Sequence, residues 1–574
     1  MKKSSIILIS HLFLATACMC QQKATMPPEA GQKKAVHNLY LLGKLWGFLK
    51  YYHPAVASGK LKWDDELLKR IPVYKKISST KELNDSLFTW VNSLGDIPAC
   101  DSCKSIDKKN TRLLPDFSWF EQSNFPTQLS KKLAFIKENR YTGKQYYVQF
   151  VSADGIYLPT ALQEKSNYKI IYPDSSYCLL ALFRLWNYAE YWYPYKYNLP
   201  VSWDHVLKKF IPLMWQVNNE TVYVQNIEML VAALKDSHGY IQSLRLGEIK
   251  GNYLLPFTLR YIQNKFIVTS LLNDSLAAKA GIRPGDIAEK IDGKNIHELA
   301  RERSQYIPAS TPASARDKLS HSITRTHQQY SFFTVKRDHT VLTVRVTNIP
   351  YNPFKPIQLN PPVFSFQKDS SFCRIKNGIV YLNLGKLNRN DSAAFTELVK
   401  NAPALIIDNR QNQDQQKGTG AGDLVDNLIH PAKKMSLKFS TCTPSYPGIF
   451  MFTQPTDLGL RPVDKIFTGP IAILVNENTI SVGETLSMCY QQAVNKKIIG
   501  STTAGANGNV TYISLPGGIT VQFTGLGVYY PDGKELQRVG IRPDIVVPQT
   551  INGYRENRDE QLEAAIHYLN RQIK

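Results

Sequence analysis

The chain has 574 residues, a formal net charge of +22 and 43% hydrophobic residues. This length predicts about three or four domains. The basic residues are dispersed and interleaved with acidic ones, which argues against a nucleic-acid partner. After the N-terminal residues, no run approaches the roughly 20 apolar residues of a membrane-spanning helix. We therefore expect a chain that is soluble or held at a membrane only by a lipid.

The N-terminus has the pattern of a secretory signal peptide over residues 1–17. Lys2 and Lys3 precede an apolar stretch at residues 6–15, and small residues then lead to Cys18. The A-x-A ending suits ordinary signal peptidase, whereas a Cys directly after small residues also suits a bacterial lipoprotein with Cys18 as its lipidated first residue. We favour the lipoprotein, which predicts export to the periplasm or cell envelope.

The cysteines do not suggest a metal site. Beyond Cys18 and Cys20 six remain, of which Cys100 and Cys103 form the one close pair in sequence. In an exported protein such a pair is more often a disulfide, or two free thiols, than half of a zinc site, which needs four ligands. No metal or other cofactor is therefore predicted.

An aromatic pattern occurs twice within residues 35–245. Residues 45–54 recur as residues 185–194, and Trp63 recurs as Trp203, each at an offset of 140 residues. Apolar residues three and four apart predict a helix that ends before the proline of each copy, followed by a second helix. We therefore expect a helical N-terminal region whose aromatic stripes form its core.

Strand-like patterns lie between the copies and after them. Alternating residues at 144–151 and 168–172 predict a small sheet inserted into the helical region. Over residues 250–348 the pattern changes to short strands, with a helix ending in Ala-Gly before a Pro-Gly-Asp turn at residues 284–286. This stretch resembles a PDZ domain of the bacterial protease type, which implies capture of an extended peptide by its terminal carboxylate. A spacer domain that binds nothing is the alternative.

The C-terminal part alternates strands with helices. A short linker at residues 361–373 precedes a region that we place at residues 374–550, and a C-terminal helix is expected over residues 551–574. Three apolar runs are typical of strands: residues 378–384, 404–408 and 471–475. Strands that alternate with helices predict an α/β layer with ligands at the carboxyl ends of the strands. The whole chain is expected to be a multidomain α+β protein.

Ser481 is the strongest candidate for a nucleophile. It lies where the apolar run at residues 471–475 leads, through a short loop, into a helical pattern beginning near Val482. A hydroxyl at the first turn of a helix has free backbone N–H groups and the positive end of the helix dipole beside it, and both stabilise a developing oxyanion. The sequence therefore predicts acyl-transfer chemistry, which also requires a base.

Residues 469–485 resemble the signature of the S41 peptidases, the family of the C-terminal processing peptidases and the tricorn core protease. That signature is a strand, Asn, a short loop, the nucleophilic Ser and a Glu three residues later. The resemblance extends over about residues 238–547. It implies a serine peptidase with a ClpP- or crotonase-like α/β catalytic domain and protein or peptide substrates.

The resemblance also implies the identity of the base. Many members use a lysine about 25 residues after the serine, but the corresponding loop here has Ala506 or Asn507 at that position. The tricorn-like branch uses an upstream histidine instead, and residues 227–241 contain a matching Asp-Ser-His. By this resemblance His238 is the general base, with an imidazole unperturbed near pH 6.5, and Ser237 orients it.

Two features depart from the family pattern. The loop after the second predicted strand lacks the family's Gly-Gly, so we expect the backbone N–H groups of Val482 and Gln413 to hold the oxyanion. The acidic residue before the C-terminal Gly-x-x-Pro-Asp motif is replaced by Gln537. Either Glu484 or Glu535 supplies the carboxylate, or Gln537 hydrogen-bonds in its place. Glu484 can equally bind loop amides.

The sequence thus predicts an exported serine endopeptidase in which Ser481 attacks the scissile carbonyl, His238 relays the proton and the PDZ-like domain selects substrate C-termini. Two alternatives stay open. One is an inactive binding protein of the same fold, as in the interphotoreceptor retinoid-binding protein, whose S41-like modules bind apolar ligands; the missing glycines and Gln537 favour it. The other is a peptide-binding scaffold. The oligomeric state is not predicted.

Overall fold

The structure is a computed structural model, and it describes residues 30–103, 109–172, 174–351, 371–387, 389–410, 436–454, 456–457 and 467–573. Three parts follow one another along the chain: a helical N-terminal region, a middle domain rich in strands, and a C-terminal domain in which strands alternate with helices. The expected signal peptide, Cys18 and Gln413 lie outside the described residues.

The N-terminal region consists mainly of helices packed on an aromatic core. Its elements are α1 (Ala30–Tyr52), α2 (Pro54–Ala57), α3 (Trp63–Tyr74), α4 (Thr80–Asn92), β1 (Thr111–Leu113), α5 (Trp119–Gln122), α6 (Thr127–Glu138), β2 (Gln149–Ala153), β3 (Ile156–Thr160), α7 (Ser176–Trp192), α8 (Trp203–Trp215), α9 (Glu220–Ala233) and β4 (Tyr240–Gln242). The first helix of each repeat ends two residues before a proline, because proline disfavours helical backbone in the residue that precedes it.

Reciprocal hydrogen bonds join two tryptophans in each copy of the repeat. Trp46 Nε1 donates to Trp63 O at 3.0 Å, and Trp63 Nε1 donates to Trp46 O at 3.0 Å. In the second copy Trp186 and Trp203 exchange the same two bonds, at 2.7 and 2.9 Å. All four residues are buried. The two copies, 140 residues apart, therefore share one local structure.

The small sheet between the copies differs from the expected one. It is the antiparallel pair β2 and β3, and residues 168–172 form no strand. Tyr168, Ile170 and Tyr172 instead pack against the helical core, which explains their alternation without a strand partner. The strand predicted there is thus wrong, because alternation reports one buried side and not the pairing.

The middle domain is a six-stranded sheet with helices along it. Its elements are α10 (Leu246–Lys250), β5 (Tyr253–Leu254), β6 (Phe257–Ile262), β7 (Lys265–Leu271), α11 (Asp274–Lys279), β8 (Ile287–Ile291), β9 (Lys294–Asn295), α12 (Ile296–Ser304), α13 (Pro312–Ile323), β10 (Arg325–Thr326), β11 (Tyr330–Arg337), β12 (Thr340–Thr347) and β13 (Ile349–Pro350). The strand order is β12-β11-β8-β7-β6, with β9 beside β8. Helix α13 packs along β6. The PDZ-like assignment stays a prediction.

The C-terminal domain contains a mostly parallel sheet. Its elements are β14 (Phe372–Arg374), β15 (Val380–Asn383), α14 (Ser392–Lys400), β16 (Leu405–Asp408), β17 (Ser436–Cys442), β18 (Phe450–Phe452), β19 (Thr456–Asp457), β20 (Ile471–Val475), α15 (Val482–Tyr490), β21 (Lys496–Gly500), β22 (Val510–Leu515), β23 (Ile519–Thr524), β24 (Gly527–Tyr529), β25 (Ile545–Val546), α16 (Ile551–Arg555) and α17 (Glu560–Gln572). The order β14-β15-β16-β20-β21-β25 is parallel except at β14. The loops after β20 and β21 therefore meet at one edge of the sheet.

Two smaller sheets join the N-terminal region to the C-terminal domain. Strand β4 pairs with β23, which pairs with β22, and β1 pairs with β18 in a sheet that also contains β17 and β24. Apolar residues of both parts form one buried core, in which the rings of Tyr188 and Phe523 lie 5.8 Å apart. The residues just before β4 are consequently held against the C-terminal domain.

Cys100 and Cys103 form a disulfide, one of the two alternatives that their spacing left open. Within the described ranges, no three His, Cys, Asp or Glu side chains are grouped so that they could hold a metal ion. In the same ranges, none of the helices combines the length and the apolar character that crossing a membrane requires.

Candidate active site

Ser481 lies in a strained turn between a strand and a helix. Strand β20 leads through residues 476–480 to Ser481, and α15 begins at the next residue. The backbone angles are φ 57° and ψ −120°, a conformation that costs a non-glycine residue about 1–3 kcal/mol. Ser481 N donates to Ala506 O at 2.9 Å, and Thr485 N donates to Ser481 O at 2.9 Å. The surrounding main chain therefore imposes this conformation on Ser481.

The backbone N–H of Val482 is free to bind an anion. The first N–H groups of a helix have no partner within it. Gly483 N donates to Ile480 O at 3.0 Å, whereas Val482 N makes no hydrogen bond to any described residue. This N–H lies at the positive end of the helix dipole, as the expected oxyanion donor would. The second expected donor, Gln413, lies outside the described residues, and its role stays a prediction.

Glu484 anchors the neighbouring loop, residues 503–507. Its buried carboxylate accepts hydrogen bonds from the Thr503 hydroxyl, from Gly505 N at 2.7 Å and from Ala506 N at 2.8 Å. Burial raises the pKa of Glu484 to about 7, although these donors act in the opposite direction. The geometry matches the alternative in which Glu484 binds loop amides, and the anchored loop in turn holds the candidate nucleophile.

His238 is buried just before β4 and has one free ring nitrogen. Its Nδ1 lies 2.9 Å from Thr524 Oγ1, and its Nε2 has no hydrogen-bond partner among the described residues. Asp236 Oδ1 accepts from His238 N at 3.0 Å, and Asp236 Oδ2 accepts from Thr524 N at 2.7 Å. Asp236 thus fixes both the main chain of His238 and the strand residue beside its ring. A hydrogen-bonded Nδ1 and a free Nε2 suit a general base.

Ser237 makes no hydrogen bond to the imidazole, whereas the sequence led us to expect that it orients His238. Its hydroxyl accepts from Ser310 N at 2.8 Å and donates to Ala504 O at 3.1 Å. Ser237 and His238 are the central pair of a tight turn, and their side chains diverge. Thr524 makes the contact with the ring instead, while Ser237 ties the turn to the 503–507 loop.

Gln537 contacts Asp236 rather than the histidine ring. Its Nε2 lies 3.3 Å from Asp236 Oδ1 and 3.4 Å from Ser310 Oγ, and the residue is fully buried. Glu535, another expected source of a carboxylate, accepts from Asn198 Nδ2 at 3.0 Å. Asp236, and not Glu535, therefore supplies the carboxylate beside His238 in the buried cluster formed by Asp236, Ser237, His238, Ser310, Thr524 and Gln537.

Lys318 of α13 enters the same cluster from the middle domain. Its Nζ donates to Ser237 O at 2.6 Å and to Pro308 O at 2.9 Å. Burial lowers the pKa of Lys318 to about 8, against the opposing effect of Asp236. Burial also lowers the pKa of His238, which Asp236 raises and Lys318 lowers further. The sequence suggested an unperturbed imidazole, and this prediction is wrong, because the surroundings lower the pKa of His238. The ring therefore stays neutral to a lower pH than a free histidine does.

One loop bonds to Ser481 and to Ser237, the residue before His238, although no hydrogen bond joins the side chains of Ser481 and His238. In the 503–507 loop, Ala506 O accepts from Ser481 N, and Ala504 O accepts from the hydroxyl of Ser237. No hydrogen bond joins Ser481 Oγ to His238 Nε2. Catalytic hydrogen bonds are often long in structures without substrate, and the pairing of these two residues stays a prediction.

Sequence reasoning missed three residues of the cluster: Asp236, Thr524 and Lys318. The Asp-Ser-His motif itself contains a signal for Asp236, two residues before the histidine. No comparable signal exists for Thr524 and Lys318, because a strand and a helix far apart in sequence bring them to the same turn.

A strained serine at a helix N-terminus, a backbone N–H after it without a partner among the described residues and a buried histidine with an unbonded ring nitrogen are the kinds of group that a serine hydrolase site contains. Residues 378–547 match the model of peptidase family S41. The chain therefore contains a domain of the S41 peptidases.

Curated relatives are similar to this chain over about half of its length or slightly more. A probable CtpA-like serine protease of Staphylococcus aureus is 22% identical over 339 residues, which are 58% of this chain and 61% of the relative. A carboxy-terminal-processing protease of Bartonella bacilliformis is 25% identical over 298 residues, 50% of this chain and 60% of the relative. The chain thus spans about 60% of the length of these relatives.

Solved structures share the fold. Mature CPAF in complex with lactacystin superposes with a TM-score of 0.51 at 15% identity, over 69% of this chain and 97% of CPAF. A second structure of mature CPAF gives the same TM-score and identity, over 69% of this chain and 96% of CPAF. At this identity the likeness concerns the fold alone.

Proposed function

We propose that this chain is an exported serine endopeptidase that hydrolyses protein or peptide substrates by Ser-His chemistry. One observation carries the proposal. The loop at residues 503–507 bonds to Ser481, which lies in a strained turn before a free helix N–H, and also to Ser237, the residue next to His238 and its free Nε2. The S41 domain and the processing-protease relatives support a peptidase.

The chemistry follows from these positions. Ser481 Oγ attacks the carbonyl carbon of the scissile bond while its proton passes to His238 Nε2. The oxyanion that forms accepts a hydrogen bond from Val482 N–H. Return of the proton from the imidazolium to the amine nitrogen breaks the C–N bond, and water then hydrolyses the ester on Ser481 with the imidazole again as base. The Thr524 hydroxyl, by accepting from Nδ1–H, selects the tautomer in which Nε2 is basic.

The middle domain borders a cavity suited to a substrate C-terminus. The cavity, of about 440 Å³, lies between this domain, the N-terminal region and the strand that follows His238. Most of its wall is apolar. Of its charged lining residues, Glu228 pairs with Lys250, which leaves the positive charges of Lys318 and Arg325. This balance supports recognition of a peptide carboxylate by the PDZ-like domain.

Export with Cys18 as the lipidated residue completes the proposal, and it rests on the N-terminal sequence. Expression with an alkyne fatty acid should label the wild type and leave Cys18→Ser unlabelled. Equal labelling of the two proteins, or labelling of neither, would contradict lipid attachment at Cys18.

The first test of catalysis is intact-mass analysis after exposure to a fluorophosphonate, which adds to an activated serine with loss of fluoride. The wild type should gain one adduct, whereas Ser481→Ala and His238→Ala should gain none. Thr468→Ala is the matched control, because it removes an exposed hydroxyl from the segment that precedes β20 and should keep the adduct. Peptides of a library that the wild type cleaves and the two inactive variants do not would then define the substrates.

A binding protein of the same fold is the second candidate, because no hydrogen bond joins Ser481 Oγ to His238 Nε2. A wild type without adduct that still binds peptides would establish this candidate in place of the peptidase.

A further inference from the structure

A cluster of charged residues joins the middle domain to the loop before Ser481. Arg260 of β6 forms an ion pair with Glu477 of that loop, with 2.7 Å between Nη2 and Oε1, and its Nη2 lies 3.8 Å from Asp317 Oδ1 of α13. The side chains of Arg260, Asp317 and Glu477 are only 13%, 13% and 20% exposed. An ion pair so withdrawn from solvent is screened less than a surface pair.

Neighbouring polar groups complete the cluster. In the amide orientation that satisfies both of its atoms, Asn478 donates to Asp317 Oδ2 at 3.1 Å and accepts from Arg260 Nη2 at 3.0 Å. Arg260 Nη1 donates to Gln549 Oε1 at 3.1 Å. The guanidinium thus bonds to several segments of the C-terminal domain at once, as its planar set of donors permits.

Glu477 links the cluster to both loops of the candidate site. Its Oε2 accepts from Ser501 Oγ at 2.9 Å, and Ser501 lies two residues before the 503–507 loop. Glu477 itself lies four residues before Ser481. Burial would raise the pKa of Glu477, but Arg260 and Ser501 outweigh it and lower that pKa. The carboxylate is therefore held ionised between a cation of one domain and a hydroxyl of the other.

The turn at Ser481 depends on support of this kind. Its backbone is strained, and strained conformations persist only where surrounding contacts impose them. Displacement of a reacting group by about 1 Å can cost on the order of a hundredfold in rate. The main-chain bond from Ser481 to Ala506 restrains the turn from one side, and the Arg260–Glu477 ion pair restrains the loop that enters it.

We infer that Arg260 is a positioning residue for Ser481: the middle domain, through the Arg260–Glu477 ion pair, holds the loop that presents the nucleophile. This inference rests on the proposed function, since it concerns the reactivity of Ser481. The middle domain then has a part in catalysis that does not require it to bind a substrate.

The test measures the rate of fluorophosphonate labelling, because a small probe reports the reactivity of Ser481 without using the cavity. Arg260→Gln and Glu477→Gln should each be labelled at least tenfold more slowly than the wild type. The double variant should be no slower than the slower single variant, because both changes break one network. With a short peptide substrate, kcat should fall while KM stays within twofold.

Arg337→Gln is the matched control, since it breaks the partly buried Arg337–Asp286 pair inside the middle domain, with 2.7 Å between Nε and Oδ1. This variant should be labelled at the wild-type rate. Labelling of Arg260→Gln at the wild-type rate would overturn the inference, as would additive effects of the two single changes. If Arg260→Gln does not fold, Glu477→Gln decides, because it removes the same ion pair from the other side and still offers an oxygen to Ser501; slower labelling supports the inference and an unchanged rate overturns it. A wild type that is not labelled at all overturns the proposed function as well.

Discussion

Gln537 donates a hydrogen bond from Nε2 to Asp236 Oδ1 at 3.3 Å, and both residues are fully buried. Asp236 also accepts from the main chain of His238. The amide at position 537 therefore replaces the acidic residue of the S41 pattern without placing a second negative charge beside Asp236. Two buried carboxylates at this distance could not both ionise, and one pKa would be strongly raised.

Gln537→Glu should therefore lose stability as the pH rises. The added carboxyl would have a folded-state pKa above its unfolded value near 4.3, so stability is lost as the pH rises from about that value. We expect a loss of about 2 kcal/mol at pH 8 and a smaller loss at pH 5. Urea unfolding at both pH values measures it. Gln537→Met is the control, with a loss that does not depend on pH; the same behaviour in Gln537→Glu would refute the explanation.

Thr524→Val should impair the histidine without unfolding its surroundings. The change removes the hydroxyl at His238 Nδ1 and keeps the main-chain bond from Thr524 N to Asp236. We expect fluorophosphonate labelling to slow by about tenfold to a hundredfold, which is less than the roughly hundredfold to ten-thousandfold contribution of a general base, because the imidazole itself remains. Thr524→Ser retains the hydroxyl and should be labelled within threefold of the wild type. Equal rates for the Val and Ser variants would show that the hydroxyl does not orient the ring.

The rate of fluorophosphonate labelling should fall at acid pH, with a midpoint below 6.5, the usual pKa of histidine. Burial lowers the pKa of His238, and Lys318 lowers it further, so the neutral imidazole persists below pH 6.5. The unfolded state binds the proton first as the pH falls, and this group therefore removes stability below about pH 6.5. Labelling rates between pH 4 and 8 measure the midpoint. A midpoint at or above 6.5 contradicts the assignment of His238; Lys318→Met should move the midpoint upward.

Glu484→Gln should loosen the 503–507 loop. The carboxylate accepts from both Gly505 N and Ala506 N, whereas an amide has one acceptor oxygen. Labelling of Ser481 should slow by about tenfold, since losing a buried hydrogen bond of this kind costs about 1–3 kcal/mol.

The same substitution should change how stability depends on pH. Because the pKa of Glu484 is raised to about 7, the wild type loses stability as the pH rises from about 4.5 to 7. The Gln variant should lack this component. Thermal unfolding across this range compares the two proteins, and identical slopes would exclude the raised pKa.

Trp63→Phe and Trp203→Phe should destabilise the chain by similar amounts. Each removes one of two reciprocal indole hydrogen bonds in its copy of the repeat, at a cost of about 1–2 kcal/mol. Urea unfolding followed by circular dichroism measures the change, with Trp215→Phe as a control that leaves both pairs intact. A cost in one copy alone would show that the copies do not share the same energetic role.

Much of the local structure around the chemistry could be predicted from short stretches of the amino-acid sequence. Apolar periodicity and the two prolines placed the paired helices of the repeat, and an apolar strand followed by a helical pattern placed Ser481 at a helix N-terminus. These features depend on residues close together in the chain, so their patterns can be recognised without the fold. Alternation at residues 168–172 misled because it reports burial of one side and does not identify a strand partner.

How the histidine is held, and which carboxylate lies beside it, depends instead on contacts between distant parts of the chain. Thr524 reaches His238 because β23 pairs with β4, and Lys318 and Arg260 arrive from the middle domain. Such contacts join residues separated by tens to hundreds of positions, and no local pattern specifies them. Whether a hydroxyl such as that of Ser237 meets a ring or a loop carbonyl likewise depends on the turn that carries it and on the packing around it.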